Sequence, residues 1–410
     1  DVERSRGLGD VYKRQLYSFI PHWTLDTTLL YTFMGIIGAW AIYKSSLQNS
    51  PKTFWKNKYY QIWFLIWTLI ATFRMIDGNA GGTDAIAYYS YFKMCFDIRG
   101  WELTPLGLYD SNLGFRWYNR ILRLLSDNQF YYLFLTHGIM LACVIKFVDC
   151  FKFKKMTYVP FFLIVFWYVR GFCTIRSNLA SAILLISLVY LVQNKYKQSI
   201  IVAILAVLFH KMMVLYALFI PFYWYAQKKT IKLKYIIVII IGISMLTTAM
   251  LTFVFGSNLL GDEFTDHYSE YSENAMETGF LGNFWKIAFE QIVLGVLMLL
   301  LNKQALRYKE DLKNSISKNK FDVIWYACLF DLILIPICST FGVWRGYEVF
   351  YVPRLVMWSL LLGIVSPKDK KWYIIYLIVT CFIFYGWFWQ RLSAKSFWYE
   401  TNLMPYLLNI

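Results

Sequence analysis

A chain of 410 residues that is 58% hydrophobic and 20% aromatic, with a mean hydropathy of +0.44, has too little polar surface to cover a soluble domain. The net charge of +16 would suit a nucleic-acid partner, but the lysines cluster between long apolar runs, which is how a polytopic membrane protein marks its cytoplasmic side. Seven cysteines form no CxxC pair and four histidines form no HExxH, so no disulfide frame, metal centre or cofactor is expected, and no nucleic acid.

Taken in order, residues 1–15 come first, and GDVYKRQ (9–15) looks like a translated sequencing adapter, so this stretch is set aside as a sequencing scar. Residues 16–410 are expected to form one all-α transmembrane domain. Apolar runs near 25–43, 59–73, 130–147, 157–170, 177–193, 199–210, 211–227, 235–255, 285–302, 321–340, 349–365 and 372–390 predict about twelve membrane helices. Six connecting segments then carry 23 basic residues against four acids and are assigned to the cytoplasm. Both termini come out external in this multi-pass protein.

The external loops are expected at 77–129 and 256–284. The first contains GGTDAIAYYSYF, where Asp84 stands beside Tyr88, a carboxylate and rings of the kind that bind sugar hydroxyls and faces. It also holds LGFRWYNRILRLL, whose Arg116, Arg120 and Arg123 share one helical face beside Trp117, Ile121 and Leu124; this predicts a helix lying on the outer surface. The second loop has six acids and no Lys or Arg, and reads either as a solvated acidic loop or as a divalent-ion site. Asp322, Asp331 and Glu290, inside spans, form either a proton path or pairs within the bundle.

The stretch AVLFHKMMVLY (206–216) sets a histidine and a lysine in the middle of an apolar run. Lysines flank 198–227 at both ends, so the chain must enter and leave on one side. Thirty residues folded in two give arms of about 15 residues, roughly 22 Å each. A short hairpin follows, with His210 and Lys211 at an apex open to the outside.

The basic residues also differ by side. The cytoplasmic set has 22 Lys and one Arg, whereas ten of the fourteen external basic residues are Arg. Arg offers a planar fork that binds phosphate bidentately and Lys does not. Arg74, Arg170, Arg176, Arg345 and Arg354, at helix ends or within short spans, are therefore the candidates for holding a phosphate group.

Four places together resemble the EpsG family of bacterial exopolysaccharide polymerases, similar in role to Wzy-type polymerases. They are Arg74 followed by GTDxxxY (Gly82, Thr83, Asp84, Tyr88), RxxxA at Arg176–Ala180, FH at Phe209–His210, and Arg354 before a late span. The resemblance implies a membrane glycosyltransferase of the bacterial cytoplasmic (inner) membrane that joins oligosaccharide repeat units carried on polyprenyl diphosphate at that membrane's outer face. The lipid bilayer and other polysaccharide assembly proteins are the further partners implied. An acceptor hydroxyl attacks the donor's anomeric carbon and lipid diphosphate leaves, with no metal needed. Cations aimed at the leaving group lower the barrier. Arg176, Arg354 and Arg170 are the first candidates for that task, then Arg74 and Arg345, with Lys211 and Tyr88 also touching substrate. His210 suits a general base, and Asp84 is the alternative base or a hydroxyl-orienting residue.

Two other functions share these features. A flippase for lipid-linked oligosaccharide would use buried charges and external arginines but should carry two similar halves, and no internal repeat is visible. An O-antigen-ligase-like transferase would also use a histidine in a polar cavity.

Overall fold

The computed structural model describes residues 25–48, 56–76, 81–82, 84–96, 112–151, 156–228, 316–340, 349–365 and 370–379. Among these residues the secondary structure is helical throughout, without an extended strand. The expected runs 235–255 and 285–302, the acidic loop 256–284, Glu290 and residues 1–15 lie outside them.

The N-terminal layer pairs α1 (Leu25–Ser46) with α2 (Lys58–Thr72). Asn57 caps α2 by accepting the Tyr59 N–H at 3.1 Å, while its Nδ2 donates to Ser45 Oγ at 2.7 Å, so one side chain ends one helix and starts the next. Gly35 and Gly38 let α1 close on its neighbours: a Cβ at Gly35 would sit 2.6 Å from the Phe162 ring, and one at Gly38 would sit 3.0 Å from Trp67. Trp67 then reaches across to donate to the Met34 carbonyl at 2.9 Å. Small residues at such contacts are the usual means of bringing helices together in lipid.

The expected outer loop contains two helices, α3 (Ala85–Lys93) and α4 (Leu113–Leu125). The second is the surface helix anticipated from its arginine spacing. Leu113, Trp117, Ile121, Leu124 and Leu125 are all more than half exposed along one stripe, while Phe115, Asn119 and Leu122 are buried. The face turned away from the protein is thus apolar, as interfacial insertion requires.

The centre is built by α5 (Gln129–Phe151), a 3-10 turn (Val159–Leu163) running into α6 (Ile164–Cys173), and α7 (Ile175–Val192). Helices α1, α5 and α7 are long and apolar enough to cross a membrane, by length and composition. Between α6 and α7 the chain turns at Thr174. Asn178 Nδ2 donates to the Trp167 carbonyl at 2.9 Å. In a straight helix two residues eleven apart would be separated by roughly 16 Å, so the chain folds back here. At its other end α7 stops in a Schellman turn. Asn194 takes φ of 58°, and the N–H groups of Lys195 and Asn194 return to the carbonyls of Tyr190 and Leu191 at 2.9 Å each.

The hairpin read from the flanking lysines is present. Helix α8 (Tyr196–Phe209) is 14 residues long, about 21 Å, and the return arm is α9 (Met213–Ala217) followed by α10 (Phe219–Lys228). Tyr196 Oη donates to Gln227 Oε1 at 2.8 Å, so the two ends of the hairpin lie together. The return arm is broken at Leu218, because Pro221 lacks an N–H and its ring excludes the carbonyl four residues earlier. Outward from the arms, Ile200, Ile204, Leu208, Val214, Leu218 and Trp224 are exposed, a surface suited to hydrocarbon.

Helices α11 (Lys318–Thr340) and α12 (Tyr351–Val365) pack together, and α13 (Lys370–Val379) follows them. Tyr351 Oη to the Leu163 carbonyl at 3.3 Å fastens α12 to the 3-10 turn, and Thr157 N–H to the Ser359 carbonyl at 3.2 Å fastens it to the segment just before that turn.

Candidate functional site

The first part of the site forms where α2 ends. Arg74 is fully buried, its guanidinium 4.4 Å above the Phe172 ring. Nε donates to the Gly81 carbonyl at 3.0 Å, one terminal nitrogen to the Ala71 carbonyl, and the other to the Phe172 carbonyl at 3.4 Å. One side chain thereby joins the end of α2, the glycine loop and the end of α6. The two glycines are required by this closure. Gly81 and Gly82 have φ of 77° and 108°, and a Cβ on Gly82 would meet the Phe172 carbonyl oxygen at 2.6 Å. Asp84 follows at the start of α3, half-buried, with its carbonyl accepting the Tyr88 N–H at 3.1 Å. Tyr88 is buried, its ring edge-on to Phe115 at 5.8 Å.

Arg170 and Arg176 stand on either side of the Thr174 turn, and both are half-buried. The turn is held by Thr174, whose Oγ1 donates to the Arg170 carbonyl at 3.0 Å and lies 2.8 Å from Asn178 Oδ1. Gly171 lets the Asn178 side chain approach to 3.2 Å of where a Cβ would be. Arg176 occupies the first turn of α7, where the helix macrodipole is already positive. A cation there adds to the dipole instead of opposing it, and the combination attracts an anion. Thus Arg74, Gly81, Gly82 and the Arg170–Arg176 turn come together, which their separation in sequence conceals.

The second part is the hairpin apex. His210 ends α8 in an extended conformation (φ −153°, ψ 116°) and is 9% exposed. Its Nδ1 accepts the Met212 N–H at 3.3 Å. Lys211 is exposed, and its backbone N–H donates to Asn112 Oδ1 at 2.9 Å. Phe209 lies 5.6 Å from Tyr118 and 6.5 Å from Phe115, so the surface helix α4 is the seat of the apex. Phe115 also carries the contact to Tyr88, and links the Asp84 helix to the same seat.

The third part differs from what residue type alone suggests. Arg354 in α12 is buried and its Nε lies 2.8 Å from Asp331 Oδ2 in α11. Asp331, read from sequence as part of a proton path or an internal pair, is therefore paired. Arg345 lies outside the described residues. On α4, Arg120 donates to the Cys95 carbonyl at 3.0 Å and Arg123 is 3.5 Å from Asp127, contacts that hold the surface helix to its surroundings. Burial pushes the Cys95 thiol up, against the opposing pull of Arg123 and Arg120. Among the described residues no three His, Cys, Asp or Glu side chains converge as metal ligands would.

Three residues of the site escape a reading by residue type: Asn112, Thr174 and Asn178. Asn112 precedes an apolar-periodic helix, a cap signal, but its carboxamide oxygen is turned to another element. Asn178 stands at one of the unspecified positions of the RxxxA motif, so the pattern gives no sign of its contact with Trp167.

A family model described as the EpsG family matches residues 57–408, a range that takes in every element from the α2 cap to Arg354. No curated protein and no solved structure matches the chain.

Proposed function

The chain belongs to the EpsG family, and from that premise we propose that it is a polysaccharide polymerase of the bacterial cytoplasmic membrane. It joins polyprenyl-diphosphate-linked oligosaccharide repeat units at the outer face. The architecture in this reading has about twelve spans, external termini, and the His210 apex open to the outside. The observation that carries the reading is the family match, because it extends over all three parts of the site.

In the reaction an acceptor hydroxyl attacks the donor's anomeric carbon, the bond from that carbon to the diphosphate oxygen breaks, and the acceptor's proton passes to a base. Negative charge gathers on the departing diphosphate. Arg170 and Arg176, half-buried on either side of the Thr174 turn, are its partners in this proposal, with the α7 dipole behind them and Lys211 at the apex. Arg345 stays in the set on sequence grounds. Arg74 and Arg354 are committed to carbonyls and to Asp331, and act by holding the frame. Of the two candidate bases, Asp84 is favoured. A ring whose Nδ1 accepts a hydrogen bond carries its proton on Nε2 when neutral, so neither nitrogen of His210 is poised as a base. Tyr88 supports Asp84 through the α3 backbone and the Phe115 contact.

The test uses purified protein in proteoliposomes with lipid-linked repeat units. A ladder of lengthened glycans is expected from the native chain and none from Asp84→Asn; general bases commonly contribute about 10²–10⁴ in rate. Movement of single repeat units across the bilayer without lengthening would instead establish a flippase and end the polymerase reading.

A further inference from the structure

We propose that Asn112 is a positioning residue for His210, fixing both the apex turn and the tautomer of the imidazole. The inference rests on the polymerase reading only for its effect on rate; the tautomer stands on geometry alone.

Asn112 is 6% exposed and sits at the N-terminal boundary of α4, yet its side chain makes no cap to that helix. Its Oδ1 instead accepts the backbone N–H of Lys211, 99 positions away, at 2.9 Å. The approach is made possible by Gly114, where a Cβ would fall 2.9 Å from the Leu208 carbonyl carbon. Helix α4 therefore lies directly on the last turn of α8, and Asn112 arrives beside the residue that follows His210.

Pinning one peptide orients the next. With the Lys211 N–H held outward on Asn112, the chain reverses: Met213 N–H returns to the His210 carbonyl at 2.9 Å and Val214 N–H to the Lys211 carbonyl at 3.0 Å. The N–H between those of Lys211 and Met213, that of Met212, is left facing the imidazole and donates to Nδ1 at 3.3 Å. An imidazole nitrogen that accepts holds a lone pair there, so the neutral ring carries its proton on Nε2. Asn112 thus decides, through two peptides, that His210 offers an N–H and not a second lone pair. The sequence gap between the two residues hides this, because neither belongs to the other's motif.

The experiment measures tautomer and rate separately. Full-length protein with 15N-labelled histidine is studied in nanodiscs, with the His210 signals assigned by their loss in His210→Gln. The native chain is expected to show a pyridine-like Nδ1 and a pyrrole-like Nε2. Asn112→Ala should mix the two tautomers and lower kcat roughly ten- to hundredfold with KM little changed, as expected when a reacting group is misplaced by about 1 Å. Asn112→Asp keeps an acceptor oxygen and should restore both the native signature and most of the rate. A protonated Nδ1 in the native protein overturns the proposal, and that spectrum decides the matter even if Asn112→Ala fails to fold. An Asn112→Ala protein that loses activity while keeping the native tautomer also overturns it, since the role would then be structural only. If the native chain makes no polymer at all, the polymerase reading fails while the spectra still judge the role of Asn112.

Discussion

Asp331 Oδ2 and Arg354 Nε meet at 2.8 Å across the α11–α12 contact, with 1% and 2% of their side chains exposed. At such depth the pair is held by necessity. Two charges withdrawn from water each lose hydration, and the attraction between them roughly offsets that loss. Arg354 stands before a late span, as a phosphate-binding arginine of this chain was expected to, but its charge is already balanced by a neighbour.

That balance makes stability depend on the pair as a unit. Asp331→Asn or Arg354→Met alone leaves a buried charge without its counter-ion, which costs about 3–5 kcal/mol. The double variant Asp331→Leu with Arg354→Met removes both charges and should unfold closer to native than either single variant. Thermal unfolding in detergent measures all three. Single variants as stable as native would mean that the pair is not buried in the folded protein.

Gly82 offers a test of the loop that presents Asp84. Its φ of 108° and the 2.6 Å approach of the Phe172 carbonyl leave no room for a methyl group. Gly82→Ala should move the Gly81–Gly82 turn off α6, at a cost of about 1–3 kcal/mol, and reduce polymer formation more than it reduces yield. Gly138→Ala is the comparison, since that glycine is helical and its Cβ, 3.2 Å from the Phe64 ring, meets a side chain that can shift and no backbone. Equal activity in the two variants would show that the loop conformation is immaterial to the reaction.

The contrast between these residues explains how much could be read from sequence. Helices α1, α5 and α7 announce themselves, because a span of about 20 residues must be apolar from end to end. The hairpin is legible for a similar reason: lysines at both ends require both ends on one side, and Tyr196 does reach Gln227. Arg74 and Arg176 look alike in a sequence, yet one has its guanidinium against three carbonyls and the other stands half-buried at a helix start. Partner choice is a tertiary property, and no local pattern encodes it. The same holds for Asn112, whose acceptor serves a residue on another helix, and for α3, whose nine residues carry little periodic signal.

The sidedness of the hairpin can be measured directly. In a cysteine-free version, cysteines at Lys197 and Lys228 should resist an impermeant thiol reagent in intact cells, while cysteines at Lys211 and Asp127 should react. The first two lie at the closed ends joined by Tyr196 and Gln227, and the third at the apex. Reaction at 197 or 228 from outside would invert the topology and put His210 on the cytoplasmic side.

The separation of arginine and lysine that the proposed topology implies leads to the most specific expectation for this chain. If Arg170 and Arg176 grip a diphosphate, charge alone will not replace the fork, because an ammonium gives a single point contact where a guanidinium gives two parallel ones. Arg176→Lys should lose activity by about ten- to hundredfold, equivalent to roughly one to three kcal/mol. Net charge and helix order are unchanged in that variant, so expression should be normal. Arg120→Lys is the first control. Its guanidinium lies 5.5 Å from the Trp117 ring and makes one contact, from Nε to the Cys95 carbonyl just past α3, and a lysine can serve there with little loss. Lys197→Arg is the second, on an exposed residue that the proposed topology sets on the cytoplasmic side, away from substrate. Polymer length and yield in proteoliposomes, normalised to folded protein, give the comparison. Full activity in Arg176→Lys would remove the phosphate grip from the site and leave the separation of arginine and lysine to another cause.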